Sequence, residues 1–536
     1  MADSATTALR TDIPVTPDFD PAHKWLIAIA VMLGATLEML DSSIVNVSLP
    51  HMQGSFSASV DQIAWVLTSY LVANGIMIPM TAWISGRFGR KRYFLTSMAC
   101  FVGASMLCGA ARSLDQIVLF RLLQGFAGAA MIPTSQAILM ETFPPSEQQM
   151  AMAVWGIGVQ LAPVAGPTIG GWITDNLNWR WNFYINVPVG IIAFLMAWTF
   201  LKDPPYLSRQ RANKTPVDWA GIIYLAVGLG LLELVVDRGQ RSDWFAADWV
   251  RVLSLVSGGA LIMMVIRELR FPAPIIDLRI FRIRDFTIAV IMGTGNIAAL
   301  YIVNLLNPLF LQELLGYTAW KAGMLMIPRA IGTLTGMVFI GQMGRKAYDT
   351  RPALGIGFVI LAAGFFMATS WDLQVDSHEI AKTTLVQGFG MGVVFPIMSA
   401  TALSCVPRER MGNAASLYNM VRNTGAAVSL AGATNSLVNQ EQIHQSHLVE
   451  HFSVFDAWRM SDQSSRTPGA QNFRFLPQIE GGRKEGIGRV YQAIQAQSAI
   501  MSFNDIYRHL AFWMLVLAPL FLLIRRRRIS DAPAGH

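Results

Sequence analysis

From Trp25 to Ile524 the chain alternates long apolar runs with short polar breaks. About fourteen runs reach the length at which a helix spans the hydrocarbon core of a bilayer. Their limits are 25–48, 63–85, 93–111, 116–138, 149–171, 182–201, 218–236, 249–267, 286–312, 320–341, 353–371, 380–403, 412–437 and 506–524. In the first run, Glu38 and Asp41 interrupt the apolar pattern. Three apart, both are expected to project from one helical face. Carboxylates at that depth are costly and face a protein interior or a water-filled path. The rest of the chain is therefore expected to put that face inside a bundle.

Composition excludes a soluble globular chain, with 53% hydrophobic and only 14% charged residues over 536 positions. The 28 Met and 29 Phe suit lipid-facing helices and an adaptable binding surface. The net charge of +7 is concentrated in short loops, which points to membrane orientation and away from nucleic acid. With the N-terminus in the cytoplasm, the inner segments hold 24 Lys and Arg and the short outer segments 7. That bias predicts both termini inside. Residues 1–24 lack a signal-peptide pattern, so the first helix is expected to be retained. Cys100, Cys108 and Cys405 form neither a disulfide framework nor a metal-ligand spacing.

An internal repeat sets the fold class. Gly86-Arg87-Phe88-Gly89-Arg90-Lys91-Arg92-Tyr93 is echoed by Gly341-Gln342-Met343-Gly344-Arg345-Lys346-Ala347-Tyr348, at an offset of 255 residues. Gln124-Gly125-Phe126 with Pro133 is echoed by Gln387-Gly388-Phe389 with Pro396, at an offset of 263. Two parallel six-helix units with an inserted helix pair describe an alternating-access transporter. The expected organisation is a tail 1–24, a bundle 25–201, an inserted pair with linkers 202–285, and a bundle 286–524. The second bundle contains a long outer segment 438–505, and a basic tail 525–536 follows.

The motifs divide into three groups. Asp41, with Glu38 as partner or alternative, is the candidate proton carrier. Arg121 is the candidate neighbour that biases its protonation, because a nearby cation and burial act in opposite directions on a carboxylate. The matching position of the second unit is Thr384, so packing of the repeat does not require an arginine there. The second group is polar residues at spanning depth, which either line a cavity or bond neighbouring helices. They are Asn46, Gln136, Asn296, Asn304, Asn307, Gln387, Asn419 and Asn423, with Arg329 and Arg422 able to meet an acidic residue or an anionic substrate. The third group is conformational. Gly89, Arg90 and Lys91 lie in the basic turn, which is expected to act at the cytoplasmic gate. Gly158, Ala162, Gly166 and Gly170 form a small-residue stripe, with Pro163 and Pro167 beside it. Such a stripe lets another helix approach closely, and the prolines favour a bend. Glu233 and Asp237 are expected near the outer end of their helix in solvent. His444, His447 and His451 lack the companions of a metal site, so no metal is expected. Arg525 to Arg528 form a stop and lipid anchor.

Taken together, Leu40-Asp41-Ser42-Ser43-Ile44-Val45-Asn46-Val47-Ser48-Leu49-Pro50, the loop 86–92, Arg121 with Gln124-Gly125, the run through Gly166-Pro167 and Trp179-Arg180-Trp181-Asn182-Phe183-Tyr184-Ile185-Asn186-Val187-Pro188 are distinctive. The chain resembles the major facilitator superfamily over nearly all of 25–524, in particular the fourteen-helix drug:proton antiporters of the EmrB/QacA type. Asp237-Arg238-Gly239 leans toward the EmrB branch. The resemblance implies export of lipophilic drug-like molecules, and hence antibiotic resistance, driven by proton entry with no other cofactor. It makes Asp41 the helix-1 carboxylate, Arg121 the helix-4 arginine, and Gly166-Pro167 part of the antiporter signature. It implies the bacterial inner membrane, and a periplasmic adaptor with an outer-membrane channel as partners. One departure is Gly86, where the family's basic loop usually carries an acid.

An exporter of one specific metabolite, without proton coupling, shares the same fold and is the alternative. An enzyme is not expected, because no phosphate loop, zinc-protease motif or nucleophile elbow is present.

Overall fold

The computed structural model describes residues 21–203, 217–271, 274–345, 349–450 and 483–525. Residues 1–20 of the expected tail 1–24, most of the basic tail (526–536), the middle of the expected outer segment with His451, and Lys346 to Tyr348 lie outside these residues. Among the described residues there is no strand. The chain is an all-α, multi-pass membrane protein.

Each apolar run is a helix or a broken helix. We number them α1 (Pro21–Phe56), α2 (Val60–Met77 with Thr81–Phe88), α3 (Arg90–Ala110), α4 (Leu114–Thr142), α5 (Gln148–Asn176), α6 (Trp181–Phe200) and α7 (Trp219–Arg238). Then follow α8 (Asp248–Arg270), α9 (Arg284–Leu309), α10 (Ala319–Arg345), α11 (Arg351–Ala368), α12 (Ser377–Ser404), α13 (Met411–Glu450) and α14 (Arg483–Leu517). Among the described residues, twelve helices are long and apolar enough to cross a membrane, and α2 is a thirteenth span bent by 60°. α13 does not pass on hydropathy, because Asn419, Arg422, Asn423 and further polar residues dilute it. It is nevertheless packed into the bundle against α9 and α14. Protein contacts, and not lipid, accommodate its polar groups.

The two halves pack alike. α1 lies along α5 and α6, and α9 lies along α13 and α14. α2 packs on α4, and α10 packs on α12. The repeated Gln-Gly-Phe explains this frame. A Cβ on Gly125 would collide with the Tyr70 carbonyl of α2, and one on Gly388 with the Arg329 carbonyl of α10. Only glycine permits backbones to approach so closely. The halves meet through α5 against α10 and α13 against α2 and α4, a pairing of corresponding helices.

The inserted pair is tethered and not merely solvated. α7 and α8 pack on each other, and α7 sits against α2. Thr68 donates to Asp237, Arg238 donates to the Asp61 carbonyl at 3.1 Å, and its guanidinium lies 4.6 Å from the Trp65 ring centroid. Glu233 is partly buried near Gly75. Asp237 is thus exposed, as expected, although Thr68 of α2 also holds it, whereas Glu233 is drawn partly out of solvent against α2. The described ends of the expected outer segment are also more helical than their polarity suggests. α13 continues to Glu450, and α14 begins at Arg483. His444 Nε2 lies 2.8 Å from Asp505 Oδ2 between the two extensions.

Candidate functional site

α1 carries the centre of the site. Asp41 is fully buried, and both of its oxygens are occupied. Arg121 Nη1 donates to Oδ2 at 2.5 Å. Gln124 Nε2 and Asn186 Nδ2 donate to Oδ1 at 2.9 and 2.7 Å. Arg121 is itself held by the Val66 carbonyl at 3.2 Å and by Gln124 Oε1 at 2.8 Å, with its guanidinium 4.2 Å from the Tyr70 ring centroid. Asn186 also donates to Ser105 Oγ at 2.9 Å. Thus α2, α3, α4 and α6 all converge on one carboxylate of α1.

Glu38 lies one helical turn away, in a different environment. Asn74 of α2 donates to Oε1 at 2.9 Å, while Oε2 has no hydrogen-bond partner among the described residues. Asp41 is turned into the first half. Glu38 looks toward the seam between the halves, within electrostatic reach of Arg422 of α13. The single shared face expected from their spacing is therefore split between two neighbourhoods. Side chains three apart differ by about 60° around a helix, enough to meet different neighbours.

The stripe on α5 is where α1 docks. Gly158 faces Met32 and Thr36, Gly166 faces Ser43, and Gly170 faces Ile44, all on α1. Pro167 has no N–H, so the Pro163 carbonyl one turn back lacks its helical donor. Ser43 Oγ donates to that carbonyl at 3.2 Å. A proline that breaks a ladder bond in α5 thereby ties α5 to the helix that holds Asp41.

The basic turn closes one end of the bundle. Gly89 has φ +99°, which a side-chain-bearing residue rarely adopts. This turns Arg90 inward to an ion pair with Glu141 at the end of α4. Lys91 donates from its backbone to Asp203 at 2.7 Å and from Nζ to the Trp198 carbonyl at 2.6 Å. Gly86 supplies no acid here, and Arg90 pairs with Glu141, a partner far along the chain. At the same end the halves touch. Trp155 stacks on Phe395 at 6.1 Å, Gly341 faces Met150, and Gln149 donates to Thr350 at 2.8 Å. Deeper in the seam, Asn419 donates to Gln136 at 2.6 Å.

The remaining candidates separate. Asn304 accepts from Arg329, and both line a narrow recess between α5, α9 and α10. Arg422 lies 5.4 Å from the Tyr418 ring centroid and 5.9 Å from that of Phe395. Asn296 is buried in α9. Asn307 accepts from Tyr507 of α14, and Gln387 donates to the Gly364 carbonyl of α11 at 3.1 Å, both inside the second half. Asn46 is exposed and donates to the Ser42 carbonyl of its own helix at 3.0 Å. Asn74 joins the site without having been singled out, and Gln124, Asn186 and Ser43, read in the sequence only as parts of motifs, join it as well. For Asn186 a signal existed: with Asn182 it makes an i, i+4 polar pair in an apolar run, hence one face. Among the described residues no three His, Cys, Asp or Glu side chains gather as a metal site.

The family model of the Major Facilitator Superfamily matches residues 31–430. The multidrug export protein EmrB of Haemophilus influenzae is 33% identical over 502 residues, 93% of this chain and 94% of its own. EmrB of Escherichia coli K12 is 33% identical over 503 residues, covering 93% of each. The fatty acid resistance protein FarB of Neisseria gonorrhoeae is 32% identical over 501 residues, 93% of this chain and 96% of its own. Among solved structures, the proton:xylose symporter XylE superposes with a TM-score of 0.58 at 14% identity over 95% of this chain and all (100%) of its own. The human organic anion transporter MFSD10 does so at 0.56 and 14% identity over 92% of this chain and 100% of its own. At that identity the likeness concerns the fold.

Proposed function

The chain belongs to the major facilitator superfamily as an EmrB-type transporter, and on that premise we propose that it exports lipophilic, drug-like compounds in exchange for protons. It sits in the bacterial inner membrane with both termini in the cytoplasm, a placement supported by the Lys and Arg bias of the short loops. The rigid units of the cycle are the bundles 25–201 and 286–524.

The observation that carries the reading is the buried Asp41–Arg121 pair on α1 and α4. A proton arriving at Asp41 removes the negative partner of Arg121, while Gln124 and the Val66 carbonyl still hold the guanidinium. The change reaches the seam by a short path. Asp41 and Ser43 share α1, Ser43 is bonded to α5, and α5 is the helix that meets α10 of the other half. Proton binding on the outer side thus biases the halves toward rocking, and proton release inside resets them. Relatives named for multidrug export support a hydrophobic cargo. In the same reading, the extensions of α13 and α14 meet a periplasmic adaptor leading to an outer-membrane channel. α13 runs for 40 residues, about 60 Å of helix against a hydrocarbon core of about 30 Å.

The test is substrate-induced pH change in proteoliposomes, with wild type beside Asp41→Asn and Glu38→Gln. Proton release with export in wild type, lost in Asp41→Asn, is the expected result. Transport without proton movement would instead assign an uncoupled exporter of a specific metabolite.

A further inference from the structure

Three arginines lie well inside the spanning helices, and they are treated differently. Arg121 is paired with Asp41 at 2.5 Å. Arg422 rests near two aromatic rings and has Glu38 as a carboxylate neighbour. Arg329 has neither. It is only 7% exposed, Nη2 donates to Asn304 Oδ1, and Nη1 has no hydrogen bond. Among the described residues no carboxylate lies within ion-pair distance of it and no ring lies beneath it. By the helical rise it sits about 15 Å into α10.

Its seat is firm. Gly388 and Gly392 of α12 press against the carbonyls of Arg329 and Thr333, so the backbone there has little room to withdraw. The guanidinium lines the recess between α5, α9 and α10, with Leu161, Leu300 and Leu334 on its apolar walls and Gln160 among its polar groups. An uncompensated cation at this depth is costly, and intramembrane charges of this kind mark substrate paths. A planar fork of N–H donors matches the paired oxygens of a carboxylate or a phosphate.

We propose that this recess is a subsite for amphiphilic anions, in which the headgroup, a carboxylate for preference, pairs with Arg329 and the tail follows the leucine wall. The subsite rests on the export reading only for the route by which the amphiphile arrives. A free amphiphile and an anionic lipid headgroup offer the same chemistry.

The experiment is equilibrium binding to the purified full chain in phosphatidylcholine nanodiscs, after subtraction of empty discs. The probes are dodecanoate, dodecanol and dodecyltrimethylammonium, which share a tail and differ in charge. Dodecanoate is expected to bind tightest, and Arg329→Gln to weaken it by at least about tenfold while dodecanol changes less than about twofold. Arg329→Lys should recover part of the loss. Asn304→Asp keeps the arginine and supplies an internal counter-anion, so it should also weaken dodecanoate selectively. It decides the matter alone should Arg329→Gln fail to fold. Discs containing phosphatidylglycerol separate the sources. Competition that vanishes in Arg329→Gln assigns the subsite to lipid headgroups, and none assigns it to free amphiphiles. Equal weakening of dodecanoate and dodecanol, or indifference of dodecanoate to both variants, would overturn the proposal. Antiport of a cationic substrate tests the export reading separately, since it does not require this subsite.

Discussion

At one turn of α1, Glu38 and Asp41 meet Asn74 of α2 and Arg121 of α4. In α9 of the second half, Asn304 and Asn307 stand at the same spacing and meet Arg329 of α10 and Tyr507 of α14. Thr384 occupies the place of Arg121 and returns its hydroxyl to the Ile380 carbonyl of its own helix at 2.9 Å. The helix contacts around the two turns are the same in kind, down to the glycines that let α4 and α12 touch α2 and α10. One frame thus holds acids in the first half, and in the second amides beside a cation that has no carboxylate partner among the described residues. On the proposed function, proton chemistry falls to the first half and cargo chemistry to the second. The difference is made by a few side chains, because the frame itself is set by small residues and apolar packing.

The largest effect should separate the halves outright. Asp41→Asn preserves shape and two amide contacts but removes the charge, so substrate-driven proton movement should vanish. Asn307→Ala, in α9 of the second half, should leave that movement present. Loss of coupling in both variants would show that the halves are not divided in this way. Next in size is Arg121→Gln, which leaves Asp41 buried without its cation. Thermal unfolding in detergent should report a loss of about 3–5 kcal/mol, with part of it restored in the Asp41→Asn, Arg121→Gln double variant. An unshifted melting curve for the single variant would mean that the pair contributes nothing to folding. The shared frame comes third. Gly125→Ala and Gly388→Ala should each cost about 1–3 kcal/mol by forcing two helices apart, and by similar amounts. A marked inequality in unfolding would break the equivalence of the halves. Smallest is Gln136→Ala at the seam, which removes the bond from Asn419, worth about 0.5–1.5 kcal/mol. Spin labels across the closed end should then report a shift of about two- to tenfold toward the open form. No shift would remove this bond from the gate.

Much of this was legible along the chain. Helix number and the two-unit plan follow from apolar length and from the echoes at 86–93 and 124–126. Asp41 and Arg121 stood out because charge inside an apolar run is expensive wherever it falls. Less legible was which group meets which. Gln124 and Asn186 are ordinary polar residues until α4 and α6 bring them to one oxygen of Asp41. Glu141 lies 51 positions from Arg90, and no spacing rule links them. The split between Glu38 and Asp41 depends on how far α1 is rotated against its neighbours, which packing on the α5 stripe decides.

By itself, then, the sequence determined the membrane class, the helix count within the error of one polar helix, the repeat, and the costly residues that function must explain. Each of those follows from local hydropathy and composition, which neighbours in space do not alter. The tertiary structure alone decided that Asp41 is saturated by donors, that Ser43 answers the carbonyl freed by Pro167, and that, among the described residues, Glu38 keeps one bare oxygen and Arg329 has no counter-ion. The reason is physical: a hydrogen bond or ion pair exists only at contact distance, and contact between distant segments is set by how whole helices pack.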